Sequence, residues 1–345
     1  MTIKLATTND LDFAPFFFPI EAGWAIPPTD LVEMVSGTAE DCMMRLLNGD
    51  VDVAPVDPAL YALYQNELRI LSALVYGSDM NSNNLFLLSK KRMDSFEKPR
   101  VAVSVRNHTG EILLKVLARP YYGFEPEIKP VASDLDALNL FSSPEIDMCV
   151  VGREVGMRAA GPAAERGYFV EDMSKAWWLL VGQPLPSALF VVRRAFVEKE
   201  PDADNQVRQL TQFLRSSLQK SREFLSTVVE IEEKRTGLPA EALSKHYSSQ
   251  KYEYNAAFLN GLQEFYKRAA RLRLISPVEN FNFFPIIAHV APAPESPPRR
   301  TVSEDKVKDN DSKKKERSAR SRAQERGITI IEGGKKPEKP NGEAN

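Results

Sequence analysis

Five polar clusters in this chain sit at the ends of apolar, β-prone runs, where hydrogen-bonding and acid–base groups would face a common ligand. The first, Thr7-Thr8-Asn9 with Asp12, follows the run Ile3-Lys4-Leu5-Ala6. Its hydroxyl, amide and carboxylate groups would wall such a ligand site. The second is Asp57-Pro58, after the buried-looking strand Val51–Val56. Aspartate before proline also caps a helix, and the two roles are compatible. The third, Asn81-Ser82-Asn83-Asn84, leads into the apolar run "LFLL", and turn chemistry accounts for most of it. The fourth, Arg106-Asn107-His108-Thr109-Gly110, joins the strand-like "VAVSV" to a helical pattern. Free N–H groups and the helix dipole make such a junction an anion site. There Thr109 would cap or touch a carboxylate, and Arg106 or His108 would add positive charge; a capped helix with a surface arginine is the plainer reading. The fifth is Gly152-Arg153 after "IDMCVV", where a salt bridge to an acidic surface competes with ligand binding.

Common catalytic signatures are missing. The chain has no G-x-x-x-x-G-K, no G-x-G-x-x-G after a strand, no G-x-S-x-G and no H-E-x-x-H. The three histidines, His108, His246 and His289, lack metal-ligand spacing, so no metal site and no cofactor are expected. Cys42 and Cys149 lie far apart in apolar contexts and read as buried thiols. Trp177 and Trp178 read as core packing rather than ligand stacking. The net charge of −2 gives no strong nucleic-acid signal. No signal peptide and no membrane span are legible, which points to the cytoplasm.

The elements that must position these clusters alternate strand and helix over most of the 345 residues. "TAEDCMMRLLNGDVDVAPV" reads as a helix capped by Thr38 and stopped at Asn48-Gly49, followed by a strand. From Asp202 to Leu274 the pattern is helical, broken at Gly237-Leu238-Pro239. We therefore expect an α/β body with largely parallel sheets, built as two lobes with a ligand cleft between them. Lobe 1 would be discontinuous, residues 1–90 plus 195–290, and lobe 2 would span 91–194. Residues 291–345 carry 14 Lys and Arg against 10 Asp and Glu, leaving the body 31 against 37 and a net of −6. So polar and Pro-rich a tail is expected to be disordered, with a protein-docking role as the minority reading. Its run "GITIIEGG" is a brief β-prone exception.

In this order, these pieces resemble the menaquinone-biosynthesis family of the futalosine pathway, most of all chorismate dehydratase. "IKLATTNDLDFAPFFFPI" resembles the family's opening strand and its Asn-x-Leu-Asn-Ala-x-Pro stretch. "GTAEDCMMRLLNGDVDVAPVDPALYA", "GSDMNSNNLFLLSK", "VEDMSKAWWLLVGQPLPSALFVV" and "YEYNAAFLNGLQEFYKRAARLRLI" are similar to its later segments, up to about residue 275. The resemblance implies the two-lobed fold of type-2 periplasmic binding proteins. It also implies a small-molecule substrate in the cleft, with carboxylates among the candidates. Asn9 and Thr109 would position carboxylates, Asp12 would assist proton transfer, and Arg106 or Arg153 would clamp the substrate. Thr8, Asp57, Ser82, Asn84, His108 and Gly110 would complete the binding surface.

This sequence departs from the family at the polar clusters themselves. Asp12 stands at the second opening asparagine, and Asp57-Pro58 replaces paired serines. Asn107-His108-Thr109-Gly110 keeps only the threonine of a Ser-x-Thr-Ser loop, and Arg153 replaces an acid. Val181-Gly182 stands where the family has Thr-Gly. Chorismate is a dicarboxylate, and a like-charge pair about 4 Å apart at an effective dielectric near 20 costs roughly 4 kcal/mol. Three readings follow: a lyase that dehydrates chorismate, a noncatalytic or re-purposed binding protein, and, as a weaker option, a naphthoate-forming cyclase relying on His108.

Overall fold

A computed structural model describes residues 2–80 and 83–285 of the chain. Ser82 and the tail 291–345, for which ligand contact and disorder were expected, lie outside the described residues.

The chain begins with β1 (Ile3–Thr8), a 3-10 turn (Leu11–Phe13), α1 (Ala14–Glu21), β2 (Val32–Gly37) and α2 (Ala39–Asn48). β3 (Val53–Val56), α3 (Pro58–Leu63) and β4 (Leu68–Ser78) follow. It then crosses to β5 (Leu85–Ser89), β6 (Arg100–Ser104), α4 (His108–Leu117), β7 (Glu127–Val131) and α5 (Asp134–Phe141). β8 (Met148–Gly152), α6 (Arg153–Glu165), β9 (Phe169–Asp172) and α7 (Met173–Val181) complete that part. The return strand β10 (Ala188–Arg193) leads to α8 (Arg194–Lys199), α9 (Ala203–Glu223), α10 (Leu225–Thr236) and α11 (Ala240–Ser249). β11 (Gln250–Lys251), α12 (Ala256–Arg271) and β12 (Phe283–Phe284) end the described fold.

One sheet runs β11-β4-β10-β3-β1-β2, with β12 also on β4; the other runs β7-β6-β8-β5-β9. Parallel pairs such as β1 with β2 and β6 with β7 stand beside antiparallel ones wherever β4, β5 or β10 meets its sheet neighbours other than β12. The sheets are thus mixed rather than largely parallel, because apolar runs report burial and not strand direction. β5 belongs to the second sheet and β10 to the first. The boundaries expected at residues 90 and 194 therefore fall one strand late. The polar stretch near residues 88–100, read in the sequence as the crossover between lobes, joins β5 to β6 inside the second half.

Local signals act as their chemistry dictates. Thr38 caps α2 in a reciprocal box with Asp41, and Gly49 closes the helix at φ +89°. Asp57 caps α3 with Pro58 in its first turn, accepting from the Leu60 N–H at 2.9 Å. In the run Pro15-Phe16-Phe17-Phe18-Pro19, Phe16 and Phe17 enter the core against Phe190 and the buried face of α9. Pro19 has no N–H to offer the Pro15 carbonyl one turn back, and the Ser221 hydroxyl of α9 donates to it instead, at 2.7 Å. Cys42 and Cys149 are buried free thiols. Trp177 is fully buried, whereas Trp178 is 36% exposed, so of this pair only Trp177 serves the core. A single apolar cluster spans both halves, joining Leu60 and Tyr61 to Leu113, Trp177, Phe265 and Tyr266.

Candidate functional site

A cavity of about 360 Å³ lies between the two sheets, within the size range of small-molecule sites. Its wall is made where strands end and helices begin: Thr8 at the end of β1 and Asp10 just after it, Thr38 and Ala39 at α2, and Asp57 at α3. From the second half come Ser104, Arg106, Asn107 and Thr109 around α4, Ser133 and Asp134 at α5, Gly152, Arg153 and Glu154 at α6, and Ser174 at α7. Asn84 and the return segment Leu185-Pro186-Ser187 close the side. Dipoles of several helices converge on this space and favour a bound anion. Side chains already satisfy several of these helix ends: Thr38, Asn107 and Ser133 accept from Asp41, Gly110 and Asp136 N–H groups. The 13-residue α6 differs, having no side-chain cap.

The wall carries four carboxylates, and each has a partner within the protein. Asp10 Oδ2 meets Arg153 Nη1 at 2.6 Å. Asp57 accepts from the Leu60 N–H and, at 2.6 Å, from the Thr109 hydroxyl, and its Oδ2 lies 3.8 Å from His108 Nδ1. Asp134 accepts from the Gly152 N–H at 2.7 Å and from the Asn107 amide at 3.4 Å. Glu154 meets Arg158 and, at 3.0 Å, Arg235. Burial raises the Asp57 pKa, but His108, Thr109 and the Leu60 N–H outweigh it and hold the group below the ordinary carboxylate value. The Asp57 carboxylate in turn raises His108 above its usual value.

Arg153 links the halves. Its side chain is 26% exposed, its Nη1 holds Asp10 and its Nε lies 3.2 Å from Asp12 Oδ2. The guanidinium also stands 5.7 Å from the centre of the Phe13 ring. Its backbone is at φ +43°, an uncommon place for a residue with a side chain, and its N–H bonds the Asn84 carbonyl at 2.6 Å. The two departures Asp12 and Arg153 thus meet as an ion pair.

Of the residues singled out in the sequence, Thr8, Asp57, Asn84, Arg106, Thr109 and Arg153 line the cavity. Asn9 does not: it is exposed and outside the wall, and Asp10 takes the place next to it. Asp12 is 1% exposed and stands behind the wall, bonded to Tyr76, Asn84, His246 and Arg153, so it touches no open space. His108 is 28% exposed beside Asp57 but does not line the cavity. Gly110 is buried against Asn107, where a Cβ would collide with the capping amide; it lets Asn107, rather than Thr109, cap α4. Thr109 spends its hydroxyl on Asp57 and accepts the Ala59 N–H at 3.0 Å, which ties α4 to α3. Sequence reasoning missed Asp10, Asp134 and Ser187. Of these only Asp134, following Ser133 at a helix start, carried a local signal.

Among the described residues, no group of three or more His, Cys, Asp or Glu is placed to hold a metal, and no helix is long and apolar enough to cross a membrane.

Comparison with known proteins fixes the family. A family model described as menaquinone biosynthesis matches residues 3–271. Among solved structures, protein AF1704 from Archaeoglobus fulgidus is 22% identical, covers 79% of this chain and 98% of its own, and superposes with a TM-score of 0.62. The periplasmic aliphatic sulphonate binding protein SsuA from Escherichia coli is 13% identical over 91% of this chain and 98% of its own, with a TM-score of 0.60. The Candida albicans CA3427 gene product, described as having the generic periplasmic binding protein fold, is 14% identical over 79% of this chain and 90% of its own, at 0.53. These likenesses establish a periplasmic-binding-protein-like fold. With that fold, and with a family match running from β1 to the end of α12, the chain belongs to the menaquinone-biosynthesis family.

Proposed function

We propose that the chain is a chorismate-dehydratase-like hydro-lyase of menaquinone biosynthesis, acting in the cytoplasm and converting chorismate to 3-enolpyruvylbenzoate and water. The observation that carries this reading is the Arg153 guanidinium on the cavity wall at the amino end of α6, whose N-cap Gly152 supplies no side-chain cap. Helix dipole and guanidinium there favour a carboxylate. The wall acids do not contradict an anionic substrate, because each is neutralised or hydrogen-bonded from within the protein. Repulsion of roughly 4 kcal/mol per like-charge contact applies to a bare carboxylate and falls when a cation already holds it.

In the reaction a ring C–H bond and the C–O bond to the hydroxyl break, a ring double bond forms, and the proton and hydroxide leave together as water. Aromatisation favours product, so the protein must mainly orient the ring and accept one proton. Asp12 is sealed behind the wall and serves Arg153 rather than the ring. Asp10, 33% exposed on the wall, is the carboxylate placed to take the proton. Arg153 and the α6 amino end hold a substrate carboxylate, and Thr8 and Ser187 offer hydroxyls nearby.

Mass spectrometry of products after mixing the full chain with chorismate tests the proposal. Formation of 3-enolpyruvylbenzoate, strongly reduced in Asp10→Asn, supports it; unchanged chorismate beside an active authentic dehydratase overturns it. One observation favours the re-purposed binder as the second reading: Arg153 already has two carboxylate partners, with which a substrate must compete. Thermal stabilisation by an unrelated metabolite, with none from chorismate, would select that reading. The cyclase reading loses its histidine, since His108 stands outside the cavity wall.

A further inference from the structure

A buried polar cluster lies behind the cavity and connects it to the C-terminal helices. Asp12, Tyr76 and His246 are almost wholly buried and come from the turn after β1, from β4 and from α11. Asp12 Oδ1 accepts the Tyr76 hydroxyl at 2.9 Å and lies 3.2 Å from His246 Nε2. Asp12 Oδ2 accepts the Asn84 amide at 2.7 Å and lies 3.2 Å from Arg153 Nε. One carboxylate therefore joins a helix outside the cavity to a cation on its wall.

Hydrogen-bond logic places the protons. Tyr76 has one hydroxyl hydrogen, spent on Asp12, so its oxygen must accept across the 2.9 Å to His246 Nε2. Nε2 then carries a hydrogen, shared between the Tyr76 oxygen and Asp12 Oδ1. The Gln250 amide nitrogen stands 3.5 Å from Nδ1. Both oxygens of Asp12 are thus saturated with donors. Burial raises its pKa, yet His246, Arg153 and Tyr76 together leave it below the ordinary value, so the group is ionised and fixed.

We propose that His246 and Tyr76 are positioning residues for Arg153: they fix Asp12, Asp12 fixes the guanidinium, and α11 thereby sets the cavity's affinity for a ligand carboxylate. The effect on affinity rests on the carboxylate reading above; the positioning itself does not. Asp12 takes Nε and Asp10 takes Nη1, which leaves the remaining guanidinium hydrogens for the ligand. Asn84 completes the arrangement, holding Asp12 with its amide and the Arg153 backbone with its carbonyl.

The test uses the full chain with His246→Leu, His246→Gln, Tyr76→Phe and Arg153→Gln. Without ligand, the wild-type protein should show an Arg153 Nε–H signal in nitrogen-15 NMR that exchanges slowly with water, assigned by its loss in Arg153→Gln. His246→Gln, whose amide N–H replaces Nε2–H, should keep it. His246→Leu and Tyr76→Phe should speed its exchange about tenfold or more. By calorimetry, His246→Leu should weaken chorismate binding about tenfold in the wild-type background and less than about twofold with Arg153→Gln. An unchanged Nε–H signal in folded His246→Leu and Tyr76→Phe overturns the inference, as does equal weakening in both backgrounds. If His246→Leu does not fold, Tyr76→Phe and His246→Gln carry the comparison. If wild type binds no chorismate, the carboxylate reading falls and the NMR signal alone decides the positioning role.

Discussion

Asp57 looks like a substrate contact in the sequence and acts as a structural tie in the fold, and replacing it measures the difference. Asp57→Ala removes the acceptor of the Leu60 N–H at 2.9 Å, of the Thr109 hydroxyl at 2.6 Å, and the carboxylate 3.8 Å from His108. Loss of an aspartate cap costs about 1 kcal/mol. Loss of a hydrogen bond to a charged group costs about 2 kcal/mol. The partly exposed His108 contact adds only a few tenths of a kcal/mol, because solvent screens it. The sum, about 3 kcal/mol, corresponds to a fall in Tm of about 5 °C for a body of this size. Asp57→Asn keeps an oxygen for the Leu60 N–H and should lose about 1 kcal/mol.

The pH dependence has a definite sign. The folded Asp57 pKa lies below its ordinary value of 3.8, so its contribution is complete above that value and lost as pH falls through the folded one. The folded His108 pKa lies above 6.5, so its contribution is complete below 6.5 and lost as pH rises through the folded value. The gap between wild type and Asp57→Asn should therefore be widest between about pH 4 and pH 6.5, narrowing on either side. Urea unfolding of the full chain, followed by tryptophan fluorescence from pH 3 to pH 9, is the assay. In a double-mutant cycle with Thr109→Val, the coupling should be about 1.5–2 kcal/mol. Additive effects, or a cost below about 1 kcal/mol for Asp57→Ala, would show that the carboxylate faces the cavity and does not tie α3 to α4.

Three further outcomes check other parts of the account. Gly261→Ala drives a methyl into the Pro184 carbonyl of the return segment, so it should cost about 3 kcal/mol and weaken ligand binding, read by urea titration and calorimetry; a neutral result would mean α12 does not set that wall. Ser221→Ala leaves the Pro15 carbonyl without its 2.7 Å donor and should cost about 1–3 kcal/mol, whereas Ser221→Thr should retain most of it. Burial pushes the Cys42 thiol up to about 11, so an aromatic disulfide reagent at pH 8 should react about a hundredfold more slowly than with a free thiol. Fast reaction would mean that the α2 wall of the cavity opens readily.

The parts of this fold that rest on neighbours in sequence were legible beforehand. Thr38 and Gly49 bound α2, and Asp57-Pro58 starts α3, because caps and turns are settled within a few residues. The helix break at Gly237 was legible for the same reason, and α10 ends there at φ +70°. The choice of Asn107 over Thr109 as the α4 cap was not, since both residues can accept and only tertiary contact with Asp57 occupies the threonine. Asp12 was picked out as chemically active, but its burial depends on His246, 234 positions away, and on Tyr76, 64 positions away. No local pattern encodes such partners. The sequence therefore located the cavity through its strand ends and misjudged which of its acids face open space.

A crystal structure of the full chain with chorismate or 3-enolpyruvylbenzoate bound tests the central claim most directly. The account predicts a ligand carboxylate at the amino end of α6 within hydrogen-bond reach of Arg153, with Asp57 and Asp134 still in their internal pairs and Asp12 still sealed behind the wall. A ligand bound elsewhere, or one whose polar groups have drawn Asp12 and Asp57 out of those pairs, would contradict it.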